Sequence, residues 1–171
     1  MLAPQDLSIL FRRWGLVSKA IDALGAVWSV DAALEVLRAH TRRIALADGV
    51  CVVRRISATV LYVGEDAIAP LWTGQRFPIE QCVSGRAMIE RQVILIPDIA
   101  TDPRVPLNAY LSTFVASMAM IPLGSGEPFA ALGLYWAQAQ PIEPAALTLV
   151  ETLARSANAT FERLALRGAA A

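Results

Sequence analysis

The 171-residue chain holds a single histidine and two cysteines, and of its 15 basic residues only Lys19 is lysine. A hydrolytic triad or a metal site needs several converging bases or ligands. His40 stands in a helical stretch where no spacing brings a nucleophile or carboxylate to it, so it reads as an ordinary helix residue and no metal is expected. Cys51 and Cys82 are isolated and lack metal-ligand spacing. Two lone thiols suit a reducing, cytoplasmic setting. No Gly-rich phosphate loop is present. The shortage of lysine relative to arginine reads as codon bias.

Charge is also scarce. Charged residues make up 18% of the chain and the formal net charge is zero, which argues against non-specific nucleic-acid binding. Long hydrophobic runs are missing too. The stretch 114–123 is strongly apolar but short, and serine and proline interrupt it, so no membrane span is expected. The opening MLAPQDLS has no basic region followed by an apolar core and is not a signal peptide. No kinase or DNA-binding segment follows the last helix, so a single-domain protein, or a piece cut from a longer one, is expected.

What is abundant is apolar side chain, 56% of residues, enough for a substantial core and against disorder. The length suits one domain over 1–171. Leu7, Leu10, Trp14, Val17, Ile21 and Leu24 recur at 3-4-3-4-3 spacing, the seam of a bundle or coiled-coil helix over 1–28, which Gly25 ends. Leu147, Val150, Ala154, Ala157, Phe161 and Leu164 repeat that spacing over 143–167, with Pro144 in the first turn. The two seams predict a homodimer interface, while Phe11, Leu149 and Leu153 widen the stripes enough to cover a sheet as well.

Between these helices, residues 29–142 change character. A helix starts at Ser29 or Asp31, both good N-caps, and stops at Asp48-Gly49. Stretches 50–54 and 59–63 are rich in β-branched residues and form a hairpin; 72–77 reads as a third strand, 83–91 as a helix and 93–96 as a short strand. Pro106 opens a short helix reaching Phe114, and 117–123 with 129–137 form a late hairpin over Gly124-Ser125-Gly126. The fold class is α+β.

Chemistry concentrates in two places. In IPDIATDPRVP, residues 96–106, Asp102-Pro103 starts a turn, and either Arg104 locks the loop onto Asp98 or Asp102, or Arg104 or Asp98 faces a pocket. In CVSGRAM, Cys82 stands at a helix N-terminus where the dipole favours a thiolate, and Ser84-Gly85-Arg86 either binds an anion or caps the helix, with Arg86 paired to Glu90.

The run GQRFPI, CVSGRAM, VILIPDIATDPRVP, YLSTFVASMAMIPL and ALGLYWAQ, followed by a long C-terminal helix, resembles the GAF domain family. It is most similar to GAF modules at the N-terminal end of bacterial sensor histidine kinases, and more faintly similar to phytochrome-type GAF domains. The resemblance implies a six-stranded antiparallel sheet with the terminal helices on one face and a ligand pocket on the other. It implies a cytoplasmic sensory domain, dimeric through its terminal helices, with an unidentified small molecule as ligand and a histidine kinase or another output domain as partner. Bilin-binding members attach their chromophore through a Cys-His pair just before the Tyr-Leu; here Pro106 and Leu107 stand there, so covalent bilin at that position is not expected. The Asn-Lys-x-x-x-Phe-Asp pattern of cyclic-nucleotide-binding members is missing.

The pocket candidates are Tyr62, Trp72, Cys82, Arg86, Asp98, Arg104, Tyr110, Phe114, Met118, Met120 and Tyr135. Met118 and Met120 share a strand face, and Ser117 lies on the other. No catalytic constellation is found. Some GAF proteins reduce free methionine sulfoxide with a set of cysteines, and Cys51 with Cys82 does not make that set. The alternatives are a redox enzyme or sensor using Cys82, and a dimerisation module without ligand.

Overall fold

The structure, a computed structural model, describes residues 4–169. Six strands, β1 (Gly49–Ile56), β2 (Thr59–Ala67), β3 (Arg76–Pro78), β4 (Ile94–Ile96), β5 (Ser117–Leu123) and β6 (Ala130–Trp136), pair antiparallel in the order β3-β2-β1-β6-β5-β4. Four helices accompany them: α1 (Pro4–Ala26), α2 (Val30–Ala45), α3 (Val83–Glu90) and α4 (Pro144–Ala169).

Alternation along the strands divides the interior into two cores. Val50 and Val52 of β1, Ala119, Ile121 and Leu123 of β5, and Leu132 and Leu134 of β6 join one core with α1, α2 and α4. Cys51 and Val53, Met118 and Met120, and Ala131 and Tyr135 join a second with α3 and the connections 68–75 and 97–116. Met118 and Met120 therefore do share a face, opposite the Ala119 face.

Helix ends follow from local chemistry. Ser29, rather than Asp31, caps α2: its side chain accepts from the Ala32 amide at 3.1 Å. Leu46 ends the helix in the left-handed conformation, φ 53°, before Asp48-Gly49 is reached. Arg13 is buried on α1, where it donates to the Ile44 carbonyl at 2.8 Å and pairs with Glu143 at 2.9 Å. One guanidinium thus ties α1 to the end of α2 and the start of α4.

The heptad seams meet a different fate from the one their spacing predicts. Val17, Leu24, Val150, Ala154, Ala157 and Phe161 are buried within the chain's own core, with Leu10 and Ile21 half-buried against it. Phe161 meets Phe129 edge-on at 4.9 Å. The reason is geometric: the sheet presents a wide apolar face, and the same stripe that suits a partner helix covers it first. Leu147 and Leu164 are half-buried. The start of α1 leaves large apolar side chains exposed on one helix face, Leu7 at 42%, Phe11 at 75% and Trp14 at 40%, and the end of α4 leaves Leu166 exposed.

Two elements differ from expectation. The third strand is shorter, and Trp72 lies in the loop before it, where Gly74 takes φ 86° and turns the chain. The helix expected from Pro106 to Phe114 is a single 3-10 turn, Leu107–Ala109, followed by further turns.

Candidate ligand cavity

The second core opens into a cavity of about 350 Å³ between the sheet, the turn before α3 and the segment 106–110. That volume lies near the lower end of small-molecule pockets, ~300–1,000 Å³. Tyr62, Trp72, Phe77, Gln81 and Cys82 line one side, and residues 106–110 close the other.

Trp72 is the hub. Its ring lies 5.5 Å from Tyr62, 4.9 Å from Tyr110 and 5.5 Å from Tyr135, all tilted or edge-on, and Tyr62 meets Phe77 at 5.6 Å. Its Nε1 donates to the Ala109 carbonyl at 3.2 Å, tying the 106–110 segment down. Trp72 itself is held by Glu65, whose carboxylate accepts the amides of Leu71, Trp72 and Thr73 at 2.9, 3.0 and 3.0 Å. Burial alone would raise the Glu65 carboxyl, but the amides of Leu71, Thr73 and Trp72 and the Thr73 side chain together hold it below its ordinary value.

Cys82 caps α3. Its Sγ accepts from the Gly85 amide at 3.4 Å and from Ser84 Oγ at 3.4 Å, and Ser84 Oγ lies 3.4 Å from Tyr62 Oη. Burial pushes the thiol upward, more than the hydrogen bonds from Ser84 and Gly85 lower it. The helix dipole therefore does not yield the thiolate its position predicts; Cys82 stays a thiol at neutral pH. Burial also raises the wall residues Tyr62 and Tyr110, and Cys51 in the core behind them, so all three are uncharged.

Ser84, whose two readings are anion contact and helix cap, is fully buried behind Cys82. The helix N-terminus is also closed to an outside anion. Its Gly85 and Arg86 amides go to Cys82, Arg86 pairs with Glu90 at 2.9 Å, and the turn at Ile79 packs directly on Gly85.

Of the residues singled out from sequence, Tyr62, Trp72, Cys82 and Tyr110 converge on the cavity. Arg86 and Arg104 line an adjoining groove, which shares Gln81, Cys82 and Pro106 with the cavity, and not the cavity itself. Arg104 turns to its own loop, bonding both oxygens of Asp102 at 2.6–3.2 Å and the Leu95 carbonyl at 2.9 Å. Asp98 accepts the Ala100 amide at 2.9 Å instead of pairing with Arg104. Phe114 packs over Gly49, where a Cβ would meet its ring at 2.8 Å. Met118, Met120 and Tyr135 are wholly buried behind the cavity rather than lining it; Tyr110 Oη donates to Met118 Sδ at 3.8 Å. Pro106 and Leu107, at the place of covalent bilin attachment in the resembling family, stand in the cavity wall. Phe77, Gln81, Asn108 and Ala109 also line it and carry no motif in the sequence.

This architecture recurs in solved structures. The free methionine-R-sulfoxide reductase of Neisseria meningitidis, solved with its substrate, is 14% identical with a TM-score of 0.79, covering 98% of this chain and 96% of that one. The GAF domain of a phosphoenolpyruvate-protein phosphotransferase from Coxiella burnetii is 14% identical with a TM-score of 0.79, covering 94% and 98%. The chromophore-binding domain of a bacteriophytochrome from R. palustris is 16% identical with a TM-score of 0.74, covering 91% of this chain and 62% of that one. No curated protein matches the chain. Sequence likeness at this level carries the fold alone. The GAF domain family, however, matches residues 27–162, from the start of α2 through the whole sheet and most of α4, and the chain belongs to that family.

Proposed function

We propose that the chain is a sensory module that binds a small molecule in the 350 Å³ cavity and reports occupancy through its helical layer. GAF domains are generally sensory, ligand-binding modules of signalling proteins. The observation that carries the reading is the cavity itself, walled by fixed aromatic rings and closed by a segment that one indole hydrogen bond holds. Tyr62, Trp72, Cys82 and Tyr110 are its contact residues. Cys82 acts as cap and wall, which favours regulation over catalysis: a buried thiol is a poor nucleophile. A histidine kinase or another output domain is the downstream partner, in the cytoplasm. Among the described residues no helix is long and apolar enough to cross a membrane.

Native mass spectrometry of the gently purified chain is expected to show a retained small molecule that denaturation releases. Bare protein in every preparation, with no stabilisation across a metabolite panel, would remove this reading.

The same proposal includes a homodimer, formed by the exposed start of α1, with Leu7 and Trp14 of the seam, rather than by the seam's buried remainder. Leu7, Phe11 and Trp14 give it a contiguous apolar stripe. Phe11→Glu is expected to convert dimer to monomer in light scattering while leaving the far-UV spectrum unchanged, because the side chain is 75% exposed and supports nothing within the chain. A wild-type mass for Phe11→Glu at micromolar concentration would exclude this stripe.

A further inference from the structure

The cavity's chemistry narrows what it takes, an inference that rests on its being the sensory site proposed above. Among the described residues, no Asp, Glu, Lys, Arg or His lines it. Three charges nearby are already engaged: Glu65 by three amides, Arg86 by Glu90, and Arg104 by Asp102 and the Leu95 carbonyl; Glu80, beside Gln81, is exposed to solvent. An anion brought here would lose its water without meeting an opposite charge, and a cation would have in place of its water only the faces of rings that pack tilted and edge-on against one another.

The ring walls offer flat apolar contact and little hydrogen bonding. Trp72 Nε1 is used by Ala109, Tyr62 Oη lies against Ser84 Oγ, and Tyr110 Oη donates to Met118. Two groups remain. Gln81, on the turn before α3, and Asn108, on the segment across the opening, both line the cavity, and both are exposed enough to meet an incoming molecule. Each primary amide presents a donor beside an acceptor. The volume suits one or two fused rings and is too small for an open-chain tetrapyrrole.

We propose that the cavity takes an uncharged, planar, one- or two-ring aromatic compound whose amide-like edge, a donor beside an acceptor, is read by Gln81 and Asn108. Neutrality follows from the missing counter-charge, planarity from the rings of Tyr62, Trp72, Phe77 and Tyr110, and the amide-like edge from the two side-chain amides.

The test is calorimetric titration of the full chain with four bicyclic probes of similar size. They are 2-quinolinone (neutral, with the edge), quinoline (neutral, without it), quinoline-2-carboxylate (anionic) and N-methylquinolinium (cationic). 2-Quinolinone is expected to bind at least about tenfold more tightly than either charged probe, since an unpaired buried charge is costly. Gln81→Ala and Asn108→Ala are each expected to weaken 2-quinolinone by about 2- to 10-fold, the worth of one hydrogen bond, and to leave quinoline unchanged. Both residues are exposed, so the variants keep the fold.

A charged probe that matches 2-quinolinone overturns neutrality and leaves the sensory reading intact. Unchanged 2-quinolinone affinity in both variants overturns the amide edge. Silence from all four probes at millimolar concentration overturns the inference, and native mass spectrometry then decides the broader reading: a retained ligand of another chemistry preserves it, and bare protein removes it.

Discussion

Gly85→Ala is expected to cost about 3 kcal/mol of stability and to lower the melting midpoint by about 6–12 °C. A Cβ at this position would lie 1.7 Å from the Ile79 carbonyl oxygen and 2.6 Å from its carbon. Both are backbone atoms, so no rotamer change relieves the overlap; the turn Ile79–Gln81 and α3 would have to separate. Separation would also pull the Gly85 amide from Cys82 and expose the buried Ser84. Because Gln81 and Cys82 line the cavity, ligand binding should fall together with stability. Urea unfolding followed by circular dichroism measures the first effect. A wild-type midpoint would mean that turn and helix are not in contact.

Glu65→Gln should be the second large loss, about 2–3 kcal/mol at neutral pH. The carboxylate receives three backbone amides, and hydrogen bonds to a charged group are worth about 1.5–3 kcal/mol each; the amide keeps one acceptor oxygen and no charge. The pH dependence carries a definite sign. A carboxyl held below its free value in the folded state adds stability that is complete above its unfolded pKa, about 4.3, and is lost as pH falls through the lower folded value. Wild type should therefore lose more stability than Glu65→Gln on going from pH 6 to pH 3, and the two should converge at the acid end. Chemical unfolding at several pH values measures this. Parallel curves would show that Glu65 does not hold the Trp72 loop through its charge.

These two residues mark where sequence reading succeeds and where it stops. CVSGRAM is legible as a helix start because small residues follow a capping position, and the Arg86–Glu90 pair follows from i, i+4 spacing. The cap falls on Cys82 rather than Ser84 because the 3-10 turn ahead of the helix sets where its first amides point. Both hairpins are local events that local pattern finds, and the Asp102–Arg104 pair is one of the partners that pattern leaves open for that loop. Trp72 is different. Its neighbourhood has strand-like composition, yet a carboxylate seven residues upstream and a left-handed Gly74 turn it into a loop. Gln81 and Asn108 are harder still, because an amide side chain becomes a site only when two distant turns face each other. The helix seams misdirect for a related reason: spacing specifies an apolar stripe and is silent about whether its partner is another chain or the chain's own sheet.

One feature of the sheet bears on how such a protein changes over generations. Neighbouring residues on a single strand belong to different rooms: Leu134 and Trp136 answer to the helices, Tyr135 to the cavity. Nothing but backbone separates them. A substitution on the cavity side changes the cavity wall, and one on the helical side changes the helical core, because alternate side chains point to opposite faces. Inheritance can therefore edit the two rooms separately, one alternate residue at a time. A fold partitioned in this way can be shared by proteins only 14% identical.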